Sequence, residues 1–312
     1  MQGHRIKRAL SGVLMLDKAR GASSNAALQQ AKRLYQAAKA GHAGTLDPLA
    51  TGLLPVLFGE ATKFSSDLLD ADKSYAAEIR LGVSTATADA EGEVIAVRPV
   101  SVSAEQLGAA LTKFRGNILQ TPPLYSALKH AGKPLYAYAR AGIDIERAPR
   151  QVTIHALELQ WFEGERLALS VTCSKGTYIR SIAHDLGELL GCGAHLLALR
   201  RTAVGRFGLD SAHTLERLEA LPAAARDALL LPVDALLQDL PEVRLDPAQQ
   251  LRFLQGQALP WDGPPQARVR VYGGGGALLG VGEADASGMI TPSRVIANAP
   301  VPGPAQKIAE NP

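Results

Sequence analysis

The stretch GHAGTLDPLATGLLPVLFGEATKF, residues 41–64, sets an acidic side chain in a turn just before a run as apolar as a buried strand. Pro48 disfavours the helical region for the residue before it and pushes Asp47 into an extended conformation. LLPVLFG (53–59) then reads as a short buried strand punctuated by Gly59. Upstream, SSNAALQQAKRLYQAAKAG (23–41) carries Ala27, Leu28, Ala31, Leu34, Tyr35 and Ala38 at helical spacing. Ser24 or Asn25 can cap this helix, and Gly41 can close it as the left-handed residue after the last turn. His42, Thr45 and Asp47 are therefore expected in a loop that leaves a helix end and enters a core strand.

Working outward, KSYAAEIRLGV (73–83) alternates Tyr75, Ala77, Ile79 and Leu81 on one face, the pattern of a half-buried strand. Ser103 is placed to cap a helix running through Phe114. RLALSVTC (166–173) alternates in the same way. The spacing then changes: Ile179, Ile182, Ala183, Leu186, Leu189 and Leu190 make a helical stripe ended by Gly191. Arg180 falls at that strand-to-helix turn, off the stripe, where functional groups are commonly carried. From about Leu240 the texture becomes mainly β, and RVRVYGGGGALLGVGEA (268–284) reads as two strands joined by a glycine turn. No helix with a dinucleotide fingerprint follows these glycines. The Pro-rich end, residues 300–312, is expected to be a disordered tail.

At 312 residues the chain has room for about two domains of ~150 residues. Its 46% apolar and 20% charged residues are ordinary for a folded globular protein. No run approaches the ~18 apolar residues of a membrane helix. GVLML near the N-terminus is too short for a secretory h-region. Cys173 and Cys192 form no CxxC and are expected to be reduced core thiols in a cytoplasmic protein. Charge is uneven: residues 1–64 carry nine Lys/Arg against three acids, and residues 216–246 seven acids against three arginines. Such asymmetry suits a face for a polyanion, and solvated helix faces produce it too. Residues 124–150 mix Tyr125, Tyr136 and Tyr138 with Lys129, Lys133, Arg140, Arg147 and Arg150. Rings among cations fit a nucleic-acid contact, and equally a helical hairpin with tyrosines in its seam.

Asp47 is the candidate for chemistry. Asp-Pro alone is a common turn initiator, but here His42 and Thr45 stand beside it. A carboxylate in this loop can serve as nucleophile or general base. Both roles need it ionised, and an arginine is its natural partner because guanidinium stays charged and grips carboxylates. Arg180 is the candidate partner. The seven histidines form no HxxxH or HExxH pair, and neither a GxSxG elbow nor a Walker loop occurs.

The stretch at 41–64 closely resembles the catalytic segment of the bacterial tRNA pseudouridine-55 synthases, the TruB family. The resemblance continues through DKSY (72–75), QTPPLYSALKHAGKPLYAYARAG (120–142) and CSKGTYIRSIAHDLGELLGCGAHLLALRRTAVGRF (173–207). It implies an α+β fold with a mixed, largely antiparallel sheet, followed by a small β-rich PUA-like domain. The expected division is a catalytic domain over 1–239, with an RNA-clamping insertion at about 124–150, and a PUA-like RNA-binding domain over 240–299. It implies that Asp47 is the essential aspartate, Arg180 its partner, and Tyr75 the ring that stacks on the target uracil. His42, Lys63, Tyr178 and Leu199 match residues around the flipped uridine. Lys129, Lys133 and Arg140 lie in the insertion that closes over the T-arm of tRNA. The implied activity is isomerisation of uridine-55 in the T-loop after base flipping, by a monomer that needs neither cofactor nor metal. Ala19 and Ala26 depart from the family pattern, which commonly shows proline and an acidic residue there; both lie outside the catalytic loop.

Overall fold

The computed structural model describes residues 7–265 and 267–297. The expected tail at 300–312 lies outside the described residues. The larger sheet is built from β1 (Gly12–Lys18), β2 (Ala40–His42), β3 (Thr51–Phe58), β4 (Lys73–Leu81), β5 (Gly116–Gln120), β6 (Arg150–Glu163), β7 (Arg166–Cys173), β8 (Ala194–Val204) and β9 (Phe207–Gly208). Its order is β1–β3–β8–β4–β7–β6–β5, with β2 added to β3 and β9 to β8. All pairings are antiparallel except β3 with β8, which run parallel through Thr51↔Arg200 and Gly52↔Arg201. The fold is thus α+β on a mixed, largely antiparallel sheet.

Five helices matter for the site: α1 (Ser24–Leu34), α2 (Ser65–Asp70), α3 (Ala104–Thr112), α4 (Leu135–Arg140) and α5 (Ile179–Leu189). Leu28 and Ala31 of α1, Leu107 and Leu111 of α3, and Ile182 and Leu186 of α5 share one buried core with Ala77, Ile79, Leu169 and Val171 of the sheet. This is the helix-on-sheet layering that period-2 strands and period-3.6 helices require. Strands β4 and β7 and helix α5 lie where the alternation and the apolar stripe put them. Ser103 caps α3 in a reciprocal capping box with Gln106, and the helix ends at Thr112.

The helix before the catalytic loop is shorter than its sequence suggests. It ends at Leu34, and Gln36 takes the left-handed conformation at φ 51°. Gly41 does not close it; that glycine sits in β2, opposite Leu57. The cause is tertiary. Tyr35 is fully buried, donates its hydroxyl to the Arg226 carbonyl at 2.9 Å and tilts against Phe58. Ala38 then pairs with the Arg8 carbonyl, and Ala40–His42 take the free edge of β3. An alanine-rich segment of good helix propensity is overruled by pairing and burial. His42 is accordingly a half-buried strand residue, not a loop residue. The cap also differs: Ser23 caps α1, and Ser24 is buried and turned elsewhere.

A second sheet is formed by β10 (Glu242–Leu245), β11 (Leu259–Pro260), β12 (Arg268–Gly273), β13 (Leu278–Ala284) and β14 (Met289–Val295), in the order β10–β12–β13–β14–β11. It has its own core of Leu245, Phe253, Val269, Val271, Leu279 and Ile290. Val281 reaches out of it into a core shared with Val13, Met15, Leu53, Phe64 and Leu68, which joins the two sheets. The segment around 124–150 is no helical hairpin. Lys129–His130 and Lys133–Pro134 form a two-stranded hairpin that leads into α4, and Tyr136 is exposed. No helix among the described residues is long and apolar enough to cross a membrane.

Candidate active site

Asp47 starts a turn closed by the Ala50 amide on the Asp47 carbonyl at 3.0 Å. Pro48 supplies the fixed φ at the second turn position. The loop is held on both sides of the aspartate. Ser24 Oγ accepts from the Leu46 amide at 2.7 Å and donates to the Leu46 carbonyl at 2.9 Å. The Pro48 carbonyl accepts from the Gly21 amide and, at 3.5 Å, from Lys18 Nζ. Lys18 is fully buried and also donates to the Ala19 and Ala22 carbonyls. Burial pushes its ammonium down to about 8.

Arg180, the second residue of α5, meets Asp47 through Nε at 2.9 Å from Oδ2. Sequence reasoning named the pair, and the fold brings it together. The arginine is only 4% exposed, and the rest of its guanidinium is engaged: one terminal nitrogen donates to the Thr87 carbonyl at 3.0 Å, the other to the Tyr125 carbonyl at 2.7 Å. Its Nε also lies 3.7 Å from buried Asp89. The Nε–H is not aligned as a hydrogen bond on Asp47, so the contact is chiefly an ion pair. Burial outweighs Arg180 and leaves the Asp47 carboxyl above the ordinary aspartate range, with Asp89 adding to the rise. Asp47 is nevertheless reached by solvent along a concave wall, its side chain 39% exposed.

That wall belongs to a cleft of about 320 Å³, bounded by Asp47, Tyr75, Tyr178, Arg180 and Leu199 among others. Five of the residues singled out from the sequence therefore converge. Tyr75 lies on β4 opposite Arg201 of β8, and burial raises its phenol despite that guanidinium. The Tyr178 backbone is clamped by Gln120, whose amide both donates to the Tyr178 carbonyl at 3.0 Å and accepts from its N–H at 2.7 Å.

Two others do not line the cleft. Lys63 points to the seam with the second sheet, donating to Glu60 Oε2 and the Val295 carbonyl at 2.7 Å each. His42 lies behind the catalytic loop, its Nδ1 buried; burial, then Arg201, lowers its pKa and keeps it neutral. Lys129, Lys133 and Arg140 are exposed on the hairpin and α4. Among the described residues no three His, Cys, Asp or Glu side chains converge as metal ligands would.

Sequence reasoning missed Arg201, Lys73 and Asp89. Arg201 is buried, donating from Nε to the Leu53 carbonyl at 2.7 Å and from a terminal nitrogen to the Gly44 carbonyl at 3.1 Å. It ties β3 to the catalytic loop. Lys73 lines the cleft and gathers the Leu68, Leu69 and Ala71 carbonyls at the end of α2; burial lowers it to about 8. No local pattern marks them: Arg201 stands beside Arg200, Lys73 opens a strand that also carries Glu78 and Arg80, and Asp89 lies outside the named strands.

This sheet and its aspartate–arginine cleft fall in the class of the pseudouridylate synthases. Three family models match in succession: the N-terminal domain of the TruB family pseudouridylate synthases over residues 32–179, the tRNA pseudouridylate synthase B C-terminal domain over 180–238, and the pseudouridine synthase II TruB C-terminal model over 241–296. The chain belongs to the TruB family. It is 59% identical to the tRNA pseudouridine synthase B of Azoarcus sp. (strain BH72), over 95% of this chain and 98% of that one. It is 57% identical to that of Aromatoleum aromaticum, over 93% and 94%. Among solved structures, a Cbf5–Nop10–Gar1 complex matches with a TM-score of 0.67 at 27% identity, over 88% of this chain and 78% of that chain. An archaeal box H/ACA sRNP Nop10–Cbf5 complex shares the fold with a TM-score of 0.68 at 24% identity, over 91% and 85%.

Proposed function

We infer that this chain is a tRNA pseudouridine synthase that converts uridine-55 of the T-loop to pseudouridine. Family membership over nearly the whole chain supports the activity, and the observation that carries the mechanism is Asp47 facing an open cleft with its charge partner buried behind it. In the reaction the N1–C1′ bond breaks, the uracil turns, and a C5–C1′ bond forms. C5 loses its proton and N1 ends with one, so the formula is unchanged and no redox partner is needed. Asp47 serves either by attacking the nucleotide or by removing a ribose proton. Both roles use the carboxylate, which Arg180 favours against the cost of burial.

The uridine must leave its loop to reach Asp47, at a cost of a few kcal/mol. Stacking on Tyr75, worth ~1–3 kcal/mol, offsets much of this. Tyr178 and Leu199 complete the walls around the base. The buried, unpaired thiols suit the reducing cytoplasm in which tRNA is modified.

The test uses unmodified tRNA transcript tritiated at uracil C5, followed by sequencing of the product. The expected result is one equivalent of tritium released to water per tRNA, with the modification at position 55. Tight binding without release would leave an RNA-binding protein that is no enzyme, and free uracil would identify a nucleosidase.

Lys129, Lys133 and Arg140 present three exposed cations on the insertion, with Arg140 lying over the Tyr136 ring at 5.4 Å. As phosphate contacts they would release about one counterion each. Replacing all three with alanine is expected to flatten the slope of log binding constant against log salt by about 2 to 3. An unchanged slope in a filter-binding titration would remove the insertion from the RNA interface.

A further inference from the structure

Residues 59–70, a 3₁₀ turn (Gly59–Phe64) running into α2, separate the second sheet from the cleft. On one side the second sheet grips them at three points. Arg268 of β12 forms a forked contact with Asp67, at 2.6 Å to Oδ1 and 3.4 Å to Oδ2. Lys63 donates to the Val295 carbonyl, and the Ala297 amide donates to Glu60 at 2.7 Å. Phe64 and Leu68 pack in one core with Val281, with Leu278 and Ile296 against it.

On the other side the same segment reaches the cleft. Leu69 lines it and is 43% exposed. Asp70 receives Lys175 Nζ at 2.8 Å, next to Ser174 and Gly176 of the opposite wall. Lys73 binds three carbonyls at the end of α2 and begins β4, which carries Tyr75 two residues later. A shift at Asp67 thus has a continuous packed route to the cleft rim and to the base of the strand bearing Tyr75. Asp67, where the second sheet docks, lies only two residues before Leu69 at the rim, within one turn of α2.

We propose that the second sheet is a positioning element for the reaction: through Arg268 and Asp67 it seats Leu69 and Lys73 against the target nucleotide. The inference rests on the assigned activity and adds to it. Arg268 and Asp67 touch no reacting atom and are positioning residues.

The test is a charge-reversal cycle, Asp67→Arg, Arg268→Asp and the double variant, read by single-turnover tritium release with enzyme in excess and by tRNA binding at fixed salt. Each single variant is expected to slow the single-turnover step about 3- to 10-fold, the size of effect that coupled residues remote from a site produce, with tRNA affinity changed far less. The double variant, which restores the pair at unchanged net charge, is expected to recover the rate. Leu69→Ala, which leaves the docking contacts in place, is expected to slow the same step. Singles that weaken binding alone would make the second sheet only an RNA-holding surface. Singles at wild-type rate, a double that does not recover, or a fully active Leu69→Ala would each overturn the proposal. Absence of release from the wild type would instead overturn the assigned activity.

Discussion

Asp47→Asn is expected to lose turnover by about 10³-fold or more while still binding tRNA, because an amide can neither act as an anionic nucleophile nor take a proton. The same variant is expected to melt no lower than the wild type at neutral pH. The folded-state carboxyl lies above the ordinary aspartate value because burial outweighs Arg180. The folded chain therefore holds its proton more firmly than the unfolded chain does. Stability from this group is present below the ordinary aspartate pKa and is lost as pH rises through the raised one. At neutral pH the ionised carboxylate is a net cost to the fold, and the neutral isostere removes it. Arg180 keeps Asp89 and two carbonyls as partners, so it is not orphaned. The gap in melting temperature should close below about pH 4, where both carboxyl forms are neutral. Single-turnover rates and melting curves across pH check both halves. A variant that is inactive because it unfolds would contradict this account, and one that still turns over would remove Asp47 from the chemistry.

Gly52→Ala is expected to be the most damaging single methyl group in the larger sheet. Gly52 has φ +98°, a region that costs a non-glycine residue about 1–3 kcal/mol. A Cβ there would also stand 2.2 Å from the Arg201 carbonyl oxygen and 2.8 Å from its nitrogen. Both are backbone atoms of the neighbouring parallel strand, so neither can swing aside. Relief requires parting β3 from β8, the contact that sets Arg201 behind the catalytic loop. Gly21 is the control, with φ +87° and nothing within 4 Å of its added Cβ. Gly21→Ala should lower the melting temperature by a few degrees, the cost of backbone strain alone at about 2–4 °C per kcal/mol for a domain of this size. Gly52→Ala should cost at least about 4 kcal/mol, and either melt ~10 °C lower or fail to accumulate as folded protein. Equal effects at the two positions would show that the close approach to Arg201 carries no weight.

Much of this site was legible because local chemistry and tertiary use agree. The alternation in KSYAAEIRL and RLALSVTC survives because each strand buries one face, and a period of two leaves no other register for that burial. Asp47 stood out because proline-locked acidity beside a buried strand is an unusual combination, and Arg180 because it sits at a strand-to-helix turn, off the apolar stripe. Lys63 shows the opposite case. Its resemblance pointed to the uridine pocket, yet its ammonium lies at the seam with the second sheet. Nothing in EATKF reveals that a carbonyl some 230 residues later will claim it.

The chain's local order established the strands and helices, the loop that bears the aspartate, and the kind of partner that aspartate needs, since these follow from periodicity, turn chemistry and charge over a few residues. The early end of α1, the placing of His42 in a strand, the burial of Arg201 and Lys73, and the grip of the second sheet on α2 came from contacts between distant segments. Pairing and burial there outweigh local propensities of under about 1 kcal/mol per residue. The raised Asp47 carboxyl has the same origin: the desolvation that, with the field of Asp89, outweighs Arg180 exists only where the folded chain brings residues 47, 89 and 180 together.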